Sequence, residues 1–426
     1  MKARAIILSA IGILMAMSCS KDPETAPAPA QGVTSGAVSE IYPFCATASG
    51  TLTGFKSGEL AFGDAGFLLT AAGAGAAASF KTWQEEGRAA GVKVFHGSAS
   101  GETYQVVLKD LDPGTQYACC AFFTLESGTR YIGDVVTFST SVLSPEALTL
   151  DNPAAGFMDV TVRGAVNTDK TTLSKCTYGA IISQSGEPTV DNGTLVQCKS
   201  TLDSNNEFSV SFDYLYAGTV YKYRTYILCN GSYFYGEVKE FSTRNADDLA
   251  VDLGLSVLWS SCNLGANTEN EEGLCFAWGC LKCHNSGKAD DYPYFDTKNE
   301  VLVNIPEDIT GNPEYDAAAK YLGGKWRMPT IEEFEELFEK CNGEKVLKGD
   351  MIDSYIWHSA NGNSIRLQVG QEYMDGIHQA GTIFWTGQMA LNSIGNLKPW
   401  AFDLHGNPHY FNNPYQEDPI RPVRDR

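Results

Sequence analysis

Residues 111–117 read LDPGTQY, and residues 215–221 read LYAGTVY. Each stretch is followed by the same triplet, FST, at residues 138–140 and 241–243. The glycines of the two stretches are 104 residues apart, and the phenylalanines of the two triplets are 103 residues apart. Because this spacing is almost constant, the chain is predicted to contain an internal repeat of about 100 residues.

The residues that close the second stretch and follow it alternate as in a β-strand. Tyr221 and Tyr223 would lie on one face of this strand, and Lys222 and Arg224 on the other. The glycine just before the strand suits a turn. A turn that leads into an alternating strand is typical of an antiparallel sandwich, so both repeats are predicted to be all-β.

The shared pattern Leu-x-x-Gly-Thr-x-Tyr resembles the tyrosine corner of fibronectin type III and immunoglobulin-like domains, in which the phenol bonds a nearby backbone group. The resemblance implies two such sandwiches, module 1 at residues 36–141 and module 2 at residues 145–244. Their central strands are predicted at residues 65–69 and 178–182. Such modules act as spacers or binding surfaces, and neither contains a catalytic pattern.

Composition limits the function classes. The chain has 426 residues, of which 43% are hydrophobic and 19% charged, as in a folded protein. Its 51 acidic residues outnumber its 31 basic ones, which gives a net charge of -20. An acidic surface does not hold a polyanion, so nucleic acid is excluded as a general partner.

The N-terminus has the pattern of an export signal. Lys2 and Arg4 precede an apolar run at residues 5–17, which is too short to cross a bilayer as a helix. The run ends just before Cys19, and this arrangement resembles a bacterial lipobox. The resemblance implies a lipoprotein signal peptide at residues 1–18 and a diacylated Cys19; the alternative is an ordinary signal peptide with a chance cysteine.

The residues after Cys19 suggest a location. Residues 20–24, SKDPE, resemble the surface-export tag of Bacteroidetes lipoproteins. Residues 19–35 are therefore predicted to be the lipidated cysteine and a flexible tether. Together these features predict an outer-membrane lipoprotein, exposed at the cell surface and held to the membrane by its acyl chains.

From residue 245 the pattern changes to a series of ordered blocks. They resemble the Fibrobacter succinogenes major paralogous domain, a C-type-lectin-like module, and this implies an α+β domain at residues 245–426. We call this region the head. The blocks include WSSCNLGA at 259–266, CFAWG at 275–279, GGKWRMPT at 323–330, FWT at 384–386 and IRPVR at 420–424.

Two helices are predicted in the head from the residues alone. Asn312 would cap a helix over residues 313–322, which ends at two glycines. Thr330 would cap a second helix, with Glu333 completing a capping box. The apolar stripe of this second helix would be formed by Ile331, Phe334, Leu337 and Phe338.

The head is not predicted to be an enzyme. Residues 327–330, RMPT, also resemble a motif of formylglycine-generating enzymes, which share the lectin-like fold. Those enzymes use a late cysteine pair, whereas the last cysteine here is Cys341. The calcium-binding motifs of C-type lectins do not occur either, so neither a metal nor a cofactor is predicted.

Twelve cysteines leave eleven for the folded part, and export permits disulfides. Cys262 and Cys341 lie in family-like blocks, and the resemblance makes them the first candidate pair. Cys176 and Cys229 lie at the ends of candidate antiparallel strands and are the second. The adjacent cysteines of residues 119–120 would point to opposite faces of one strand.

Cys280, Cys283 and His284 read as the CxxCH motif of c-type haem attachment. Three interpretations are open: a haem site, a disulfide within the loop, or separate thiols. The polar residues 285–291 that follow do not suit a haem pocket.

The sequence therefore predicts a non-enzymatic cell-surface lipoprotein that presents a lectin-like head for adhesion or for binding a glycan, a host protein or an envelope protein. One alternative is a structural or fimbria-associated assembly component, and a remote one is a haem or redox protein. The ligand-binding loop is predicted at Tyr410, Phe411, Asn412, Asn413 and Tyr415.

Overall fold

The computed structural model describes residues 29–426, apart from residues 100, 300, 375–376, 392–396 and 405–406; the side chains at residues 351, 370–381 and 405–411 are also not described. The predicted signal peptide and Cys19 lie outside the described residues. The chain divides into two compact units, Met1–Leu143 and Ser144–Arg426. Among the described residues, no helix is long and apolar enough to span a bilayer.

Module 1 is an antiparallel β-sandwich with two helices. One sheet has the strand order β1-β2-β5; the other has the order β4-β3-β6-β7, with β8 also paired to β6. The elements are β1 Gly32–Ser39, β2 Ala46–Thr53, α1 Ser57–Phe62, β3 Asp64–Ala71, α2 Ala76–Glu86, β4 Lys93–Gly97, β5 Thr103–Leu108, β6 Gln116–Thr124, β7 Arg130–Ile132 and β8 Val136–Ser139.

The bounds of module 1 differ from prediction at the N-terminus. Strand β1 begins at Gly32, so the module starts before residue 36 and the predicted tether of residues 19–35 overlaps it. The predicted central strand at residues 65–69 lies within β3, as expected. The tether prediction was wrong at its end because residues 32–35 already pair with β2, and the pairing resumes at Val38 after a bulge.

Helix α2 was not predicted, and it gives module 1 a second core. Ala76, Phe80 and Trp83 pack on the outer face of the larger sheet, where they cover Phe122. The adjacent cysteines of residues 119–120 point to opposite faces, one into the core between the sheets and one under the helix. This confirms the prediction from strand periodicity.

Module 2 repeats the sandwich, with sheets β10-β11-β14 and β13-β12-β15-β16; β9 pairs with β11 and β17 with β15. A disulfide joins Cys176 to Cys229, which lie opposite each other on β12 and β15. The elements are β9 Glu146–Thr149, β10 Ala154–Ala155, β11 Val160–Asn167, α3 Lys170–Leu173, β12 Cys176–Ser183, β13 Thr194–Gln197, β14 Glu207–Phe212, β15 Val220–Cys229, β16 Ser232–Tyr235 and β17 Lys239–Ser242.

The tyrosine corner predicted in module 1 is confirmed. The hydroxyl of Tyr117 accepts a hydrogen bond from the backbone N–H of Asp112 at 2.9 Å. The hydroxyl of Thr140 donates to the Asp112 carbonyl at 2.6 Å and accepts from the N–H of Thr115 at 2.9 Å. Gly114 has a φ of +61°, a left-handed conformation that favours glycine.

Module 2 has the same corner. The hydroxyl of Tyr221 accepts from the N–H of Tyr216 at 2.9 Å. The hydroxyl of Thr243 donates to the Tyr216 carbonyl at 2.7 Å and accepts from the N–H of Thr219 at 2.9 Å. Gly218 has a φ of +60°. The two modules therefore share these hydrogen bonds as well as the repeated sequence pattern.

The head is α+β, with short antiparallel sheets in the orders β18-β19-β33-β23, β20-β32-β27-β28, β24-β25-β26, β29-β30-β31 and β21-β22. Its strands are β18 Ala250–Val251, β19 Leu258–Ser260, β20 Cys275–Ala277, β21 Phe295–Asp296, β22 Val301–Leu302, β23 Trp326–Arg327, β24 Asn342–Lys348, β25 Met351–His358, β26 Ser364–Gln368, β27 Gly370–Met374, β28 Ile377–Gly381, β29 Ile383–Leu391, β30 Leu397–Asp403, β31 Asn407–Phe411, β32 Glu417–Pro419 and β33 Val423–Arg424. Its helices are α4 Ala317–Leu322 and α5 Ile331–Lys340, with 3₁₀ turns at Ala246–Leu249 and Ala289–Asp291.

The first predicted helix of the head begins later than expected. It was predicted over residues 313–322, but α4 starts at Ala317 because Asp316 is the N-cap. The buried Asp316 carboxylate also accepts from the backbone N–H groups of Gly311 and Met328, each at 2.8 Å. These bonds hold residues 311–316 in turns instead of in a helix.

The second predicted helix is confirmed. Thr330 and Glu333 form both bonds of the capping box at the start of α5. Glu333 also binds the Arg327 guanidinium through two hydrogen bonds, of 2.6 and 2.9 Å. The arginine of the RMPT stretch thus has a structural partner. The predicted apolar stripe is buried at Ile331, Phe334 and Leu337 and half-buried at Phe338.

Candidate functional site

The predicted ligand-binding loop begins inside a strand. Tyr410 and Phe411 belong to β31, where their backbones pair with Ala401 and Trp400 of β30. The side chains of both residues lie outside the described residues. The prediction of a loop was wrong here because the hairpin pairing continues through these two positions.

Asn412 is also not a ligand-binding residue of an exposed loop. Its side chain is 5% exposed. Its amide Nδ2 donates to the Asp418 carboxylate at 2.7 Å, and its Oδ1 accepts from the N–H of Asn413 at 2.9 Å. The side-chain amide is therefore engaged on both sides within the head, and it stabilises a turn.

Asn413 and Tyr415 are half-buried in the same turn. Lys398 donates to Oδ1 of Asn413 at 3.1 Å. The Tyr415 ring meets Phe295 edge-on, with 5.5 Å between ring centroids. The N–H of Trp278 donates to the carbonyl of residue 414 at 2.9 Å. Residues 412–415 thus fasten the turn after β20 and do not project as a binding loop.

The first candidate disulfide does not form. Cys262 and Cys341 are separate buried thiols. Cys262 donates to the Ala266 carbonyl at 3.3 Å and belongs to the core around Trp278. Cys341 ends α5 and packs in a different cluster, with Phe334. The prediction was wrong because block order along a sequence does not determine which blocks share a core.

The CxxCH segment does not present a haem site. Cys280 packs in a small cluster with Tyr292, whereas Cys283 packs at the edge of the main core of the head. Both are separate thiols, so the loop disulfide does not form either. The side chain of His284 is exposed, and its backbone N–H donates to Glu417 at 3.1 Å. The two sulfurs and the imidazole therefore do not line a common pocket.

Burial also makes the two thiols poor nucleophiles. Desolvation raises the pKa of Cys280 to about 12 and that of Cys283 to about 11. Because the thiolate is the reactive form, both cysteines are protonated and inert at neutral pH. The thiol of Cys283 instead donates a hydrogen bond to the Cys275 carbonyl.

The CxxCH segment has a different role, which is to contact module 2. The N–H of Cys283 donates to the Tyr214 hydroxyl at 3.1 Å, and the ammonium of Lys282 lies 5.7 Å from the centroid of the same ring. The hydroxyl of Tyr321 donates to the carbonyl of Leu281 at 2.8 Å and its ring lies 5.9 Å from that of Tyr214. The segment is thus part of a junction between module 2 and the head.

A polar network closes another part of this junction. Asn267 of the head accepts from the N–H of Phe157 at 2.9 Å and donates to Asp159 at 2.8 Å. Arg244 donates to the Asn267 carbonyl at 3.0 Å, and its guanidinium lies 3.9 Å from the centroid of the Phe157 ring. These bonds fix the direction of the chain where it passes from module 2 into the head.

The tyrosine corner of module 2 forms the third part. The N–H of Ala217 donates to the Tyr321 carbonyl at 2.8 Å. The Tyr216 ring lies 6.0 Å from the Tyr321 ring, and Lys320 lies 5.7 Å from the centroid of Tyr216. The corner therefore contributes a backbone donor and an aromatic face to the head.

Apolar packing completes the junction. Phe157 and Met158 of module 2 and Leu249 of the connecting turn belong to one buried cluster with Trp278 and Tyr321 of the head. The cluster joins module 2 to the head, in agreement with residues 144–426 forming one compact unit. No gap in packing separates module 2 from the head at this point.

Module 2 also carries an open groove of about 640 Å³. Phe241 and Tyr223 form its apolar base, with 5.8 Å between their rings. Asp151 and Lys239 form an ion pair across it at 2.5 Å, and the Asp151 side chain is 75% exposed. The groove lies where the first strand of the module is interrupted between β9 and β10.

The rim of this groove is polar and acidic. It includes the exposed carboxylates of Glu237 and Glu240 in addition to Asp151. Carboxylate oxygens accept hydrogen bonds, and the aromatic side chains of the groove can stack against flat or apolar faces of a ligand. This combination suits a hydroxyl-rich or amide-rich ligand better than an apolar one.

The sequence contained one overlooked signal for the junction. Where the first stretch has Asp112 and Pro113, the second has Tyr216 and Ala217. Tyr216 remains 36% exposed, so it lies at the edge of the junction and gives only a weak signal in the sequence. The groove gave no comparable signal, because its residues come from three separate parts of module 2: residues 151–155, β15, and the segment of residues 237–242.

No protein-family model matches this chain, and no curated protein matches it. Among solved structures, the sensor domain of the anti-sigma factor RsgI4 from Pseudobacteroides cellulosolvens is similar at 20% identity and a TM-score of 0.19, over 27% of this chain and 93% of that one. The FN1–FN3 domains of chicken CNTN1 are similar at 15% identity and a TM-score of 0.21, over 51% of this chain and 68% of that one. At these TM-scores, neither similarity adds to what the described residues show.

Proposed function

We propose that this chain is a non-enzymatic cell-envelope lipoprotein that presents residues 144–426 as one rigid binding unit. Cys19 would carry the lipid, module 1 would be the spacer, and module 2 with its lectin-like head would bind a glycan or a protein at the cell surface. The tyrosine corners and sandwich topology support fibronectin-like modules. The lectin-like assignment of the head rests on its sequence blocks.

One observation carries this proposal: the core is continuous between module 2 and the head. Two modules joined only by a linker move independently, whereas a shared core holds them in one orientation. If module 2 and the head are already held in one orientation, less conformational entropy is lost when they bind a ligand. The junction thus has the property expected of a display unit.

The groove of module 2 is the binding surface that the geometry favours. It is open, Tyr223 and Phe241 line it, and three carboxylates and the ammonium of Lys239 lie at its edge. The head loop that was predicted for this role is instead tied into its own domain. The groove therefore replaces residues 412–415 as the proposed site of contact.

The test is a glycan and host-matrix-protein array, probed with the folded mature chain. Asp151→Ala combined with Glu240→Ala should reduce binding of any hit, because both carboxylates line the groove. Asp191→Ala is the matched control, since it removes an exposed carboxylate elsewhere on module 2. Unchanged binding by the groove variant would contradict the site, and a blank array would contradict the binding function.

The shared core also favours a second function, that of a structural component of the envelope. A rigid unit of two domains sets a fixed distance between its ends. Sedimentation that shows stable self-association, together with a blank array, would support this function. A monomer with a specific ligand would contradict it.

A further inference from the structure

We propose that module 1 rests on the lipid bilayer at the end that carries α1, through the side chain of Phe62. The inference goes beyond the proposed function but depends on its lipid anchor at Cys19. It assigns a membrane contact to the folded module in addition to the acyl chains.

The chain enters module 1 at this end. The carbonyl oxygens of Pro29 and Ala30 lie against Gly54, in the turn just before α1. The side-chain amide of Gln31 donates to Glu59 of α1 at 3.1 and 3.2 Å. The first described residues are therefore attached to the α1 end by several contacts.

The chain leaves module 1 at the opposite end. Strand β8 pairs Ser139 with Gln116, at the start of β6, and Val142 lies beside the tyrosine corner at Gly114. Strand β6 runs from this corner to Thr124, so it separates the two ends by about 27 Å. The module therefore has a definite membrane-proximal end if Cys19 carries lipid.

That end displays an apolar side chain which the fold does not use. Phe62 is the last residue of α1 and is 74% exposed, the largest exposure among the large apolar side chains described. It borders a shallow cavity of about 350 Å³ that Leu125 and Ser127 also line. An exposed aromatic residue beside a lipid anchor is suited to the bilayer interface.

The length of chain before Pro29 favours a bilayer as the occupant of this surface. Residues 20–28 span at most about 35 Å from Cys19 to Pro29 when fully extended. The α1 end would thus stay close to the acyl chains at all times. Glu59 and Glu126 make the cavity rim acidic, so a zwitterionic bilayer is favoured over an anionic one.

The experiment places the photoreactive residue p-benzoylphenylalanine at position 62 or, as a matched control, at position 142. Val142 is also apolar and 70% exposed, but it lies at the other end of module 1. The acylated full chain is reconstituted in phosphatidylethanolamine–phosphatidylcholine vesicles and irradiated, and lipid adducts are measured by mass spectrometry. We expect about tenfold more lipid adduct at position 62 than at position 142.

A second sample separates this inference from the lipid anchor. The Cys19→Ser chain, without its signal peptide, is attached by an N-terminal histidine tag to nickel-chelating lipid in the same vesicles. If the first chain is not acylated, the lipoprotein proposal fails, but the tagged chain still tests the contact. The proposed membrane contact would be wrong if both positions gave equal amounts of lipid adduct. It would also be wrong if the residue at position 62 cross-linked to protein and not to lipid.

Discussion

The two tyrosine corners share three hydrogen bonds but have different surroundings. The Tyr117 hydroxyl also donates to the Asp112 carboxylate, whereas the Tyr221 hydroxyl also accepts from Gln184. In module 1 the corner contains Pro113, which has no N–H to donate. In module 2 the equivalent residue is Ala217, and its N–H donates to Tyr321 of the head. Tyr216 adds an aromatic face where module 1 has Asp112. These two residues therefore give the corner of module 2 its contacts with the head.

The two modules also differ in what covers the outer face of their larger sheet. Module 1 covers this face with α2, whose Trp83 packs on Phe122. Module 2 has no equivalent helix among its described residues; there the Arg224 guanidinium lies 3.9 Å from the centroid of Tyr235. The corner defines the repeat, whereas each module covers its remaining surface by its own means.

The largest effect should come from the shared core. Phe157→Ala should destabilise module 2 and the head together by about 3–5 kcal/mol, because it opens a cavity in packing that both domains use. Phe67→Ala is the matched variant in the core of module 1 and should affect only residues 29–143. Hydrogen exchange measured by mass spectrometry reports each segment separately. If the head of the Phe157→Ala variant kept its protection against hydrogen exchange, module 2 and the head would not depend on a shared core.

Alkaline pH should destabilise both units. Burial raises the pKa of Cys280 to about 12, of Cys283 to about 11, and of the cysteines at residues 119–120 to about 12, from the ordinary 9.0. A folded pKa above the unfolded one means that this stability is present below pH 9 and is lost as pH rises towards 11–12.

Cys280→Ala with Cys283→Ala tests this assignment in residues 144–426. Between pH 9 and pH 11 the variant should lose about 3 kcal/mol less stability than the unmodified chain, as measured by anaerobic denaturant unfolding. The pH dependence of residues 29–143 should not change. Identical losses in the variant and the unmodified chain would show that these thiols do not cause the effect.

The two corner tyrosines should be equivalent. Tyr117→Phe and Tyr221→Phe each leave one backbone N–H without its acceptor, so each should cost about 1–3 kcal/mol in its own unit. Thermal unfolding of the single variants measures both. A much larger loss in one variant would show that the two hydroxyls do not contribute equally.

The smallest effect should come from exchanging the residue that distinguishes the corners. Ala217→Pro removes the N–H that binds Tyr321 and should cost about 0.5–1.5 kcal/mol at the junction. Pro113→Ala makes the reverse change in module 1 and should be nearly neutral. Proteolysis near residues 245–250 would detect a loosened junction, and equal effects of both variants would refute the role of the donor.

Much of the fold followed from local patterns. The capping box of Thr330 and Glu333 was predicted from residue types and spacing, and the tyrosine corners from a resemblance of their short pattern. Both predictions hold because each feature depends on residues close together in the chain. The start of α4 was mispredicted because Asp316 accepts from Met328, which comes twelve residues later. Helix α2 was missed because its weak apolar stripe has meaning only against the sheet it covers.

The candidate site was less predictable than the fold. Residues 412–415 combine aromatic, asparagine and proline residues as an exposed loop does, but contacts with Asp418, Lys398 and Phe295 hold them within the head. The sequence of residues 280–284 matches the CxxCH motif of haem attachment. In the structure, however, the backbone N–H of Cys283 donates to Tyr214 of module 2. The groove of module 2 joins Asp151 to Lys239, which are 88 residues apart.

The repeat, the two sandwiches and the acidic charge follow from the amino-acid sequence, because strand alternation and turn residues act locally and charge is a sum over the chain. The disulfide between Cys176 and Cys229 was the second candidate from the sequence and is present, whereas the first candidate, Cys262 with Cys341, does not form. Only the tertiary structure shows this difference and the core that module 2 and the head share. Disulfide pairing and domain packing depend on which surfaces meet in the folded chain. Many arrangements would bury apolar area favourably, and complementary side-chain packing decides which of them forms.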